Sequence, residues 1–350
     1  MRFANLLDEQ RPLVRMMNDR TAGGALAYAL VIVHYFGNDL VNKLAGDASF
    51  WSLPPSRIIV VDNSCDYILV SDTVETISMG SNLGYGSAVN KGVQRAADLG
   101  FDLVLVATQD LWLDADAALH LVRRMNEIPD IAVAAPLLVF RSDRQRIFST
   151  GGRLTRHGRT LHRDQGKHLE RLTEPRNWRV DWADGACLLI KVEPYTRVGG
   201  FDEAYFLYVE EVDLQFKLRS LGMAIEVVPT ALAAQEPGNY TSYLKYRNLT
   251  YFSRRHQALL RPWPFLVVWG VDVARLILQR RPFEPLWAIK GRIDGLRERM
   301  GKPPTSLLGK DLRHTSLDRT STRTGNSGWR ARGLRRLVGE RARVVKGSNR

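Results

Sequence analysis

Three carboxylates fall within four residues at Glu210, Glu211 and Asp213, directly after the aromatic stretch Tyr205-Phe206-Leu207-Tyr208. On a helix Glu210 and Asp213 share a face, while Glu211 points about 100° away from Glu210. Crowded carboxylates raise one another's pKa, and one that titrates near neutrality can take a proton from a hydroxyl nucleophile. The same acids also suit a helix's first turn through its macrodipole, so the cluster alone reads equally well as a helix start. Three other groupings could serve a substrate carrying phosphates. Asp62-Asn63 follow the apolar run Ile58 to Val61 and could hydrogen-bond a base or ribose, although both types are common turn formers. The segment Asn82-Leu83-Gly84-Tyr85 to Asn90-Lys91-Gly92 is glycine-rich and opens a helix, which suits close approach of phosphate. It lacks the Gly-Lys-Ser/Thr end of an ATP-type phosphate loop. Thr108-Gln109-Asp110 ends a further apolar run, where Asp110 could hold a divalent ion against phosphate oxygens or simply cap a helix.

Elements that would position these groups are visible as short apolar runs separated by helix-compatible sequence. Ala27 to Tyr35, Arg57 to Val61, Val74 to Met79, Asp102 to Ala107 and Ile131 to Ala135 read as strands; Ser87 to Leu99 and Ala115 to Met125 read as helices. That alternation predicts an α/β fold with a doubly wound, mostly parallel sheet, which binds ligands beyond the carboxyl ends of its strands. Arg141 to Arg179 has little periodicity and is expected to be an exposed loop or hairpin that could serve as a lid. Asp181 to Val192 returns to strand character. Val209 to Leu221 carries Val209, Val212 and Phe216 at helical spacing and ends at Gly222, and Ala224 to Val228 closes the domain as a strand. Helices are expected over Thr241 to Leu260, Pro264 to Arg280 and Pro285 to Met300. The implied organisation is an N-terminal extension over 1–24, a catalytic domain over 25–240, a helical region over 241–302 and a basic, low-order tail over 303–350.

Composition bounds the partners. The 350 residues carry a net charge of +13, but Thr305 to Arg350 holds 12 Lys/Arg against 3 Asp/Glu, so most of the excess sits in the tail. No aromatic-basic interleaving marks the body as a nucleic-acid binder, and nucleic acid is not an expected partner. The tail and an amphipathic segment from Trp263 to Arg281 suggest instead a contact with an anionic membrane surface. Cys65 and Cys187 lie far apart without metal-ligand spacing, which fits a reducing compartment. Charges interrupt every apolar run in the first 20 residues, and Pro264 to Leu278 is broken by Asp272 and Arg275. Neither a secretory leader nor a membrane span is therefore expected, and the location implied is cytoplasmic, peripheral to the cell membrane.

Taken together, the motifs resemble those of the family-2 glycosyltransferases, which have the GT-A fold, over roughly Ala27 to Arg255. The resemblance rests on Val61-Asp62-Asn63, Asn82-Leu83-Gly84-Tyr85, Asn90-Lys91-Gly92 and Thr108-Gln109-Asp110. It continues through Asp184-Gly185-Ala186, Gly199 to Glu203 and Glu210 to Leu214, in family order. It implies an inverting transfer of a hexose from a nucleotide sugar to an acceptor hydroxyl. Asp62 and Asn63 would contact the nucleoside, Asn82, Gly84 and Asn90 would shape the nucleotide pocket, and Asp184 and Gly185 would line the nucleotide-sugar site. Asp110 would hold Mg2+ or Mn2+ and the diphosphate, and Glu211 would be the base, with Glu210 and Asp213 as supporting acids. Tyr246-Arg247-Asn248 resembles an element of the rhamnosyltransferase-like branch, which implies Arg247 facing phosphate or acceptor. It also tilts the donor toward dTDP-rhamnose or another dTDP- or UDP-hexose, and the acceptor toward a glycan or lipid-linked precursor of a cell-surface polysaccharide.

Three positions depart from the family pattern. Thr108 stands where the first acid of an Asp-x-Asp-like triplet is usual, Glu211 where an Asp is usual, and Gln235 where many relatives carry His. They motivate an alternative in which the chain keeps the fold but acts as a non-catalytic saccharide-binding or scaffold protein. A nucleotidyltransferase or nicotinamide enzyme is disfavoured, because Phe36-Gly37-Asn38-Asp39 occupies the place of the phosphate-binding loop each requires.

Overall fold

Strand β1 (Ala29–His34) sends Leu30 and Ile32 to one face of a central sheet and Val31 and Val33 to the other, the period-two alternation of a strand covered on both sides. The computed structural model describes residues 26–68, 73–155, 159–172, 176–238, 242–256 and 284–307, with four single positions between 270 and 278. In chain order it continues with α1 (Asn38–Ala48), β2 (Arg57–Asp62), β3 (Val74–Ser78), α2 (Tyr85–Asp98), β4 (Leu103–Thr108), β5 (Trp112–Leu113), α3 (Ala117–Glu127) and β6 (Ile131–Phe140). Then come β7 (Ile147–Ser149), β8 (Gly152–Leu154), β9 (Thr160–His162), β10 (Cys187–Lys191), α4 (Val192–Arg197), α5 (Glu210–Ser220), β11 (Ala224–Gln235), α6 (Ser242–Arg255) and α7 (Glu284–Leu296).

The sheet runs β3-β2-β1-β4-β10-β6-β11-β5, with β7 on β6. β3, β2, β1 and β4 are parallel, β10 lies antiparallel between β4 and β6, and β11 is parallel to β6. Helices α1 and α3 pack on the face of Leu30, Ile58 and Leu105, and α2, α4 and α5 on the face of Val31, Ile59 and Val106. The chain winds from β1 to one side through β2 and β3, then crosses to β4 on the other. That reversal opens a crevice at the carboxyl ends of β1 and β4. Because β10 runs the other way, its start rather than its end reaches this edge, with Cys187 opposite Ala107.

Several elements differ in extent from the sequence expectation. β6 and β11 run on to Phe140 and Gln235, since nine residue pairs bind them together. The segment 141–179, expected to be exposed, contributes β7 to the sheet through its buried Ile147-Phe148-Ser149 as well as the hairpin β8–β9. Arg141 to Arg179 was too polar on average for that apolar triplet to declare itself. Among the described residues no helix is long and apolar enough to cross a membrane. The extension over 1–24, the anchor over 263–281 except single positions, and the tail beyond 307 lie outside the described residues.

Candidate functional site

Asp62 ends β2 and turns its carboxylate back into the protein. It accepts from the backbone N–H groups of Ser64, Cys65 and Tyr67 and lies 3.0 Å from His34 Nδ1 at the end of β1. Burial alone would raise its pKa, but His34 and the three amides hold it below the usual carboxylate value. His34 is fully buried, and its Nε2 faces the N–H of Gly37 at 3.1 Å. A backbone N–H can only donate, so the imidazole proton belongs on Nδ1, directed at Asp62. His34, Asp62 and Asp66 bring ligand atoms within 4.8 Å of one another. With Nδ1 committed to Asp62 and Nε2 to Gly37, however, the imidazole has no free lone pair for a cation. His34 and Asp62 form a hydrogen-bonded support for the loop that follows β2, while the buried Oδ1 of Asp66, 3.9 Å from His34 Nδ1, has no hydrogen-bond partner among the described residues.

Asn63, also buried, links that loop to the next. Its amide donates to Asn82 Oδ1 and the Gly84 carbonyl and accepts from the N–H of Leu83. Gly84 sits at φ +99°, where a Cβ would fall 2.3 Å from the Phe206 carbonyl oxygen, so only glycine permits this approach. The N–H of Tyr85 then donates to that same carbonyl, and the Tyr85 hydroxyl to the Gly185 carbonyl. Asn63, the Asn82–Gly84 turn and Gly185 are thereby drawn together from three distant stretches of sequence. Asn90 points elsewhere. It clamps the turn before α5, donating to the Phe201 carbonyl and Glu203 and accepting from the Phe201 N–H and the Tyr195 hydroxyl.

Asp110 follows β4 and faces Gln235 at the end of β11, whose amide nitrogen lies 3.2 Å and 3.3 Å from its two carboxylate oxygens. Thr108 Oγ1 stands 3.5 Å from Gln235 Oε1. The three departures from an acid- and His-rich pattern therefore include two neighbours of the expected metal ligand. One carboxylate, one amide and one hydroxyl are all hard oxygen donors. Such a set fits Mg2+ or Mn2+ only as a cation carried chiefly by phosphate oxygens and water.

Opposite lies the acidic cluster, on a strained approach. Phe206, Tyr208 and Val209 all have positive φ, at 68°, 71° and 76°, and a β-branched residue in that region is rare. The strain is held from α6. Asn248 donates its amide to the carbonyls of Leu207 (2.8 Å), Tyr208 (2.7 Å) and Tyr205 (3.2 Å), and Arg247 donates to the Tyr205 and Gly301 carbonyls at 2.8 Å. Arg247 is 1% exposed, so the expectation that it faces phosphate or acceptor is corrected. Its charge is spent on backbone carbonyls at the helix–turn junction.

Beyond that turn the three acids separate. Glu210 is buried with Oε2 unpartnered, and burial, then the neighbouring Glu211, push its pKa well above the ordinary range. Glu211 keeps access to solvent and is pushed up to about 7, by desolvation first and by Asp184 in addition. Asp184 is itself raised by burial, with Oδ2 unpartnered and His162 Nδ1 3.7 Å away. Gly185 makes room for this meeting, since a Cβ there would stand 3.3 Å from Glu211 Cβ. Asp213 belongs to a different environment. It contacts the Tyr205 hydroxyl, His256 at 2.6 Å and Lys217 at 3.2 Å. Although burial opposes ionisation, those partners lower its pKa. The sequence expectation of one mutually repelling trio thus holds for Glu210 and Glu211, while Asp213 is a paired anion facing α6.

Sequence reasoning missed Gln215, His162, His256 and the role of Asn248. Gln215, one turn after Glu211, is fully buried and binds both the N–H and the carbonyl of Ala183, fastening α5 beside Asp184. Only Asn248 had a local signal, as the third residue of Tyr246-Arg247-Asn248.

No protein-family model matches the chain. An N-acetylglucosaminyl-diphospho-decaprenol L-rhamnosyltransferase of Mycobacterium tuberculosis is 34% identical over 226 residues, spanning 58% of this chain and 73% of that protein. The low-salt glycan biosynthesis hexosyltransferase Agl10 of Haloferax volcanii is 25% identical over 299 residues, 79% of this chain and 92% of its own. Among solved structures, GalNAc-T7 with UDP, GalNAc and Mn2+ superposes with a TM-score of 0.53 at 14% identity. The match covers 67% of this chain and 48% of that one, a likeness of fold.

Proposed function

The chain belongs to the family-2 glycosyltransferases of the GT-A fold, and from that premise we propose an inverting transfer of a hexose from a nucleotide sugar to an acceptor hydroxyl. The donor is dTDP-rhamnose or another dTDP- or UDP-sugar, and the acceptor a glycan or lipid-linked precursor of a cell-surface polysaccharide. The observation that carries this reading is Glu211, held near neutral pKa beside Asp184 at the edge of the crevice. The rhamnosyl and hexosyl activities in the relatives' names support the choice of donor and acceptor.

In this reading Asn63, Asn82 and Gly84 cradle the nucleoside, and Asp62 supports them from behind. Asp184 and the backbone of Gly185 orient the sugar. Glu211 accepts the proton of the acceptor hydroxyl, whose oxygen forms a bond to the anomeric carbon from the face opposite the diphosphate. The anomeric C–O bond breaks, its electron pair leaves with the nucleoside diphosphate, and configuration inverts. Glu210, kept neutral, lines the pocket without adding negative charge. A divalent cation held by Asp110 and the diphosphate would neutralise charge on the leaving group.

The test is release of nucleoside diphosphate by the purified protein over a panel of nucleotide sugars with Mg2+ or Mn2+, repeated with Glu211→Gln. Turnover unchanged by that substitution would sink the base assignment. Absence of both turnover and nucleotide-sugar binding across the panel would favour the scaffold alternative, which the departures at Thr108, Glu211 and Gln235 motivate.

A further inference from the structure

Behind the β8–β9 hairpin lies a cavity of about 510 Å3 rimmed by Arg153, Arg163, Lys167, Arg171, Arg176 and Arg179 over a floor that includes Leu172 and Val180. The hairpin register separates it from the acidic cluster. Gly152 pairs with His162, whose ring turns toward Asp184, while Arg153 pairs with Leu161 and therefore points to the opposite face. The hairpin thus presents Arg153 to the cavity and His162 toward Asp184 on its other face.

The charges in this cavity do not cancel. Asp164 is engaged by Lys167 at 2.9 Å and Arg176 at 2.8 Å, Asp181 by Arg219 at 2.7 Å, and Arg179 by Asp130 at 3.0 Å. Among the described residues no carboxylate lies within ion-pair distance of Arg153, Arg163 or Arg171. Arg163 is fixed by the carbonyls of Asn177 (3.1 Å) and Arg179 (3.4 Å), and Arg176 lies 4.6 Å over the Trp178 ring. Burial first, then the nearby Arg176 and Arg153, lower the pKa of Arg163. Like charges ordered this closely weaken the fold unless an anion joins them. Planar guanidinium forks match phosphate oxygens in particular.

We propose that this cavity is a second anion site, taking a diphosphate group distinct from that of the sugar donor. Three guanidiniums without a carboxylate partner among the described residues match an ion with more than one negative charge, and the volume of about 510 Å3 admits a diphosphate together with part of what it is attached to. Solvent reaches the cavity across the exposed Arg153 and Arg171, so the phosphate oxygens it takes come from a diphosphate-linked acceptor, from the headgroups of an anionic bilayer or from soluble diphosphate.

Calorimetric titration of the full chain with sodium diphosphate, in EDTA so that metal-dependent binding is silent, tests the site. Wild type and Asp110→Asn should bind alike, and Arg153→Ala/Arg171→Ala about tenfold or more weaker, with affinity falling as salt rises. Arg153→Lys/Arg171→Lys should recover part of the loss. Equal affinity in wild type and the double alanine variant, weakening by Asp110→Asn, or no saturable binding in wild type overturns the proposal. Two further arms assign the source. A raised KM for a diphosphate-linked acceptor at retained kcat identifies the acceptor, and lost sedimentation with phosphatidylglycerol vesicles, against phosphatidylcholine controls, identifies a lipid headgroup. If neither changes, the site serves soluble diphosphate. The titration needs no turnover, so it stands or falls separately from the donor and base assignments.

Discussion

The two sides of the crevice are built on opposite electrostatic terms. On the β2–α2 side, Asn63, Asn82 and Gly84 are tied to one another and Asp62 to backbone and His34, so that Asp62 is stabilised as an anion; among the described residues there, only the neighbouring Asp66 keeps a buried oxygen without a hydrogen-bond partner. On the α5 side, Asp184 and Glu210 keep buried oxygens without hydrogen-bond partners, and the pKa values of Asp184, Glu210 and Glu211 are all raised. A satisfied network is rigid and suits recognition, because its geometry exists before ligand arrives. Unsatisfied carboxylates cost stability and suit proton transfer, because their protonation state can change within the physiological range. Asp213, a few ångströms along the same helix, is the control: with His256 and Lys217 beside it, the same kind of side chain becomes a fixed anion.

Breaking the charged side should have the largest effect. Glu211→Gln keeps the shape but removes the proposed base, and kcat for sugar transfer should fall about 10²–10⁴-fold with little change in nucleotide-sugar affinity. Steady-state kinetics beside direct binding separate the two. Next comes the stability of the same variant. Glu211 ordinarily titrates at 4.5 and here at about 7, so the folded protein holds this proton more tightly than the unfolded chain. Wild-type stability is therefore undiminished by this group below about pH 4.5 and declines as pH rises through 7. Glu211→Gln escapes that decline and should be more stable than wild type by up to ~3 kcal/mol at pH 8, with the gain vanishing toward pH 4. Chemical denaturation at the two pH values measures it. An advantage that grew on acidification would contradict the raised pKa.

Asn248→Ala tests the scaffold that joins the two sides. It leaves the carbonyls of Leu207 and Tyr208 without their donor and should cost about 2 kcal/mol, with a drop in kcat because the approach to Glu211 loosens. Normal kcat at reduced stability would show that the strained turn holds its shape unaided. The smallest effect is expected on the satisfied side. Asn63→Ala should weaken nucleotide binding about tenfold while kcat at saturation changes little. A fall in kcat larger than the loss of affinity would mean that the two sides are not separable.

Much of this was legible in the sequence where the physics is local. Ile58 to Val61 and Leu103 to Ala107 are apolar on both faces, and only a central strand uses such a run. The positions of Asp62, Asn63 and Asp110 at strand ends followed from that. Glu210-Glu211 stood out as adjacent acids, although a helix start accounted for them equally well until their place among the other motifs was considered. Pairings between distant segments were not legible. Gln215 with Ala183, Asn248 with Tyr208 and Asp213 with His256 are set by how α5 and α6 cross, and polar side chains inside amphipathic helices carry no mark of their partners. Arg247 shows the same limit: the resemblance points it at phosphate or acceptor, and only the carbonyl-lined junction around it reveals its partners.

The clamp from α6 onto the turn at 205–209 also fixes an order of events during synthesis. Every strand of the sheet has left the ribosome by Gln235, yet the donors that hold Tyr205, Leu207 and Tyr208 lie further on, at Arg247 and Asn248. A nascent chain can therefore complete its sheet while the peptide leading into Glu211 is still unlatched. The acid that would perform the chemistry is set last, so an unfinished polypeptide carries the fold without the tool.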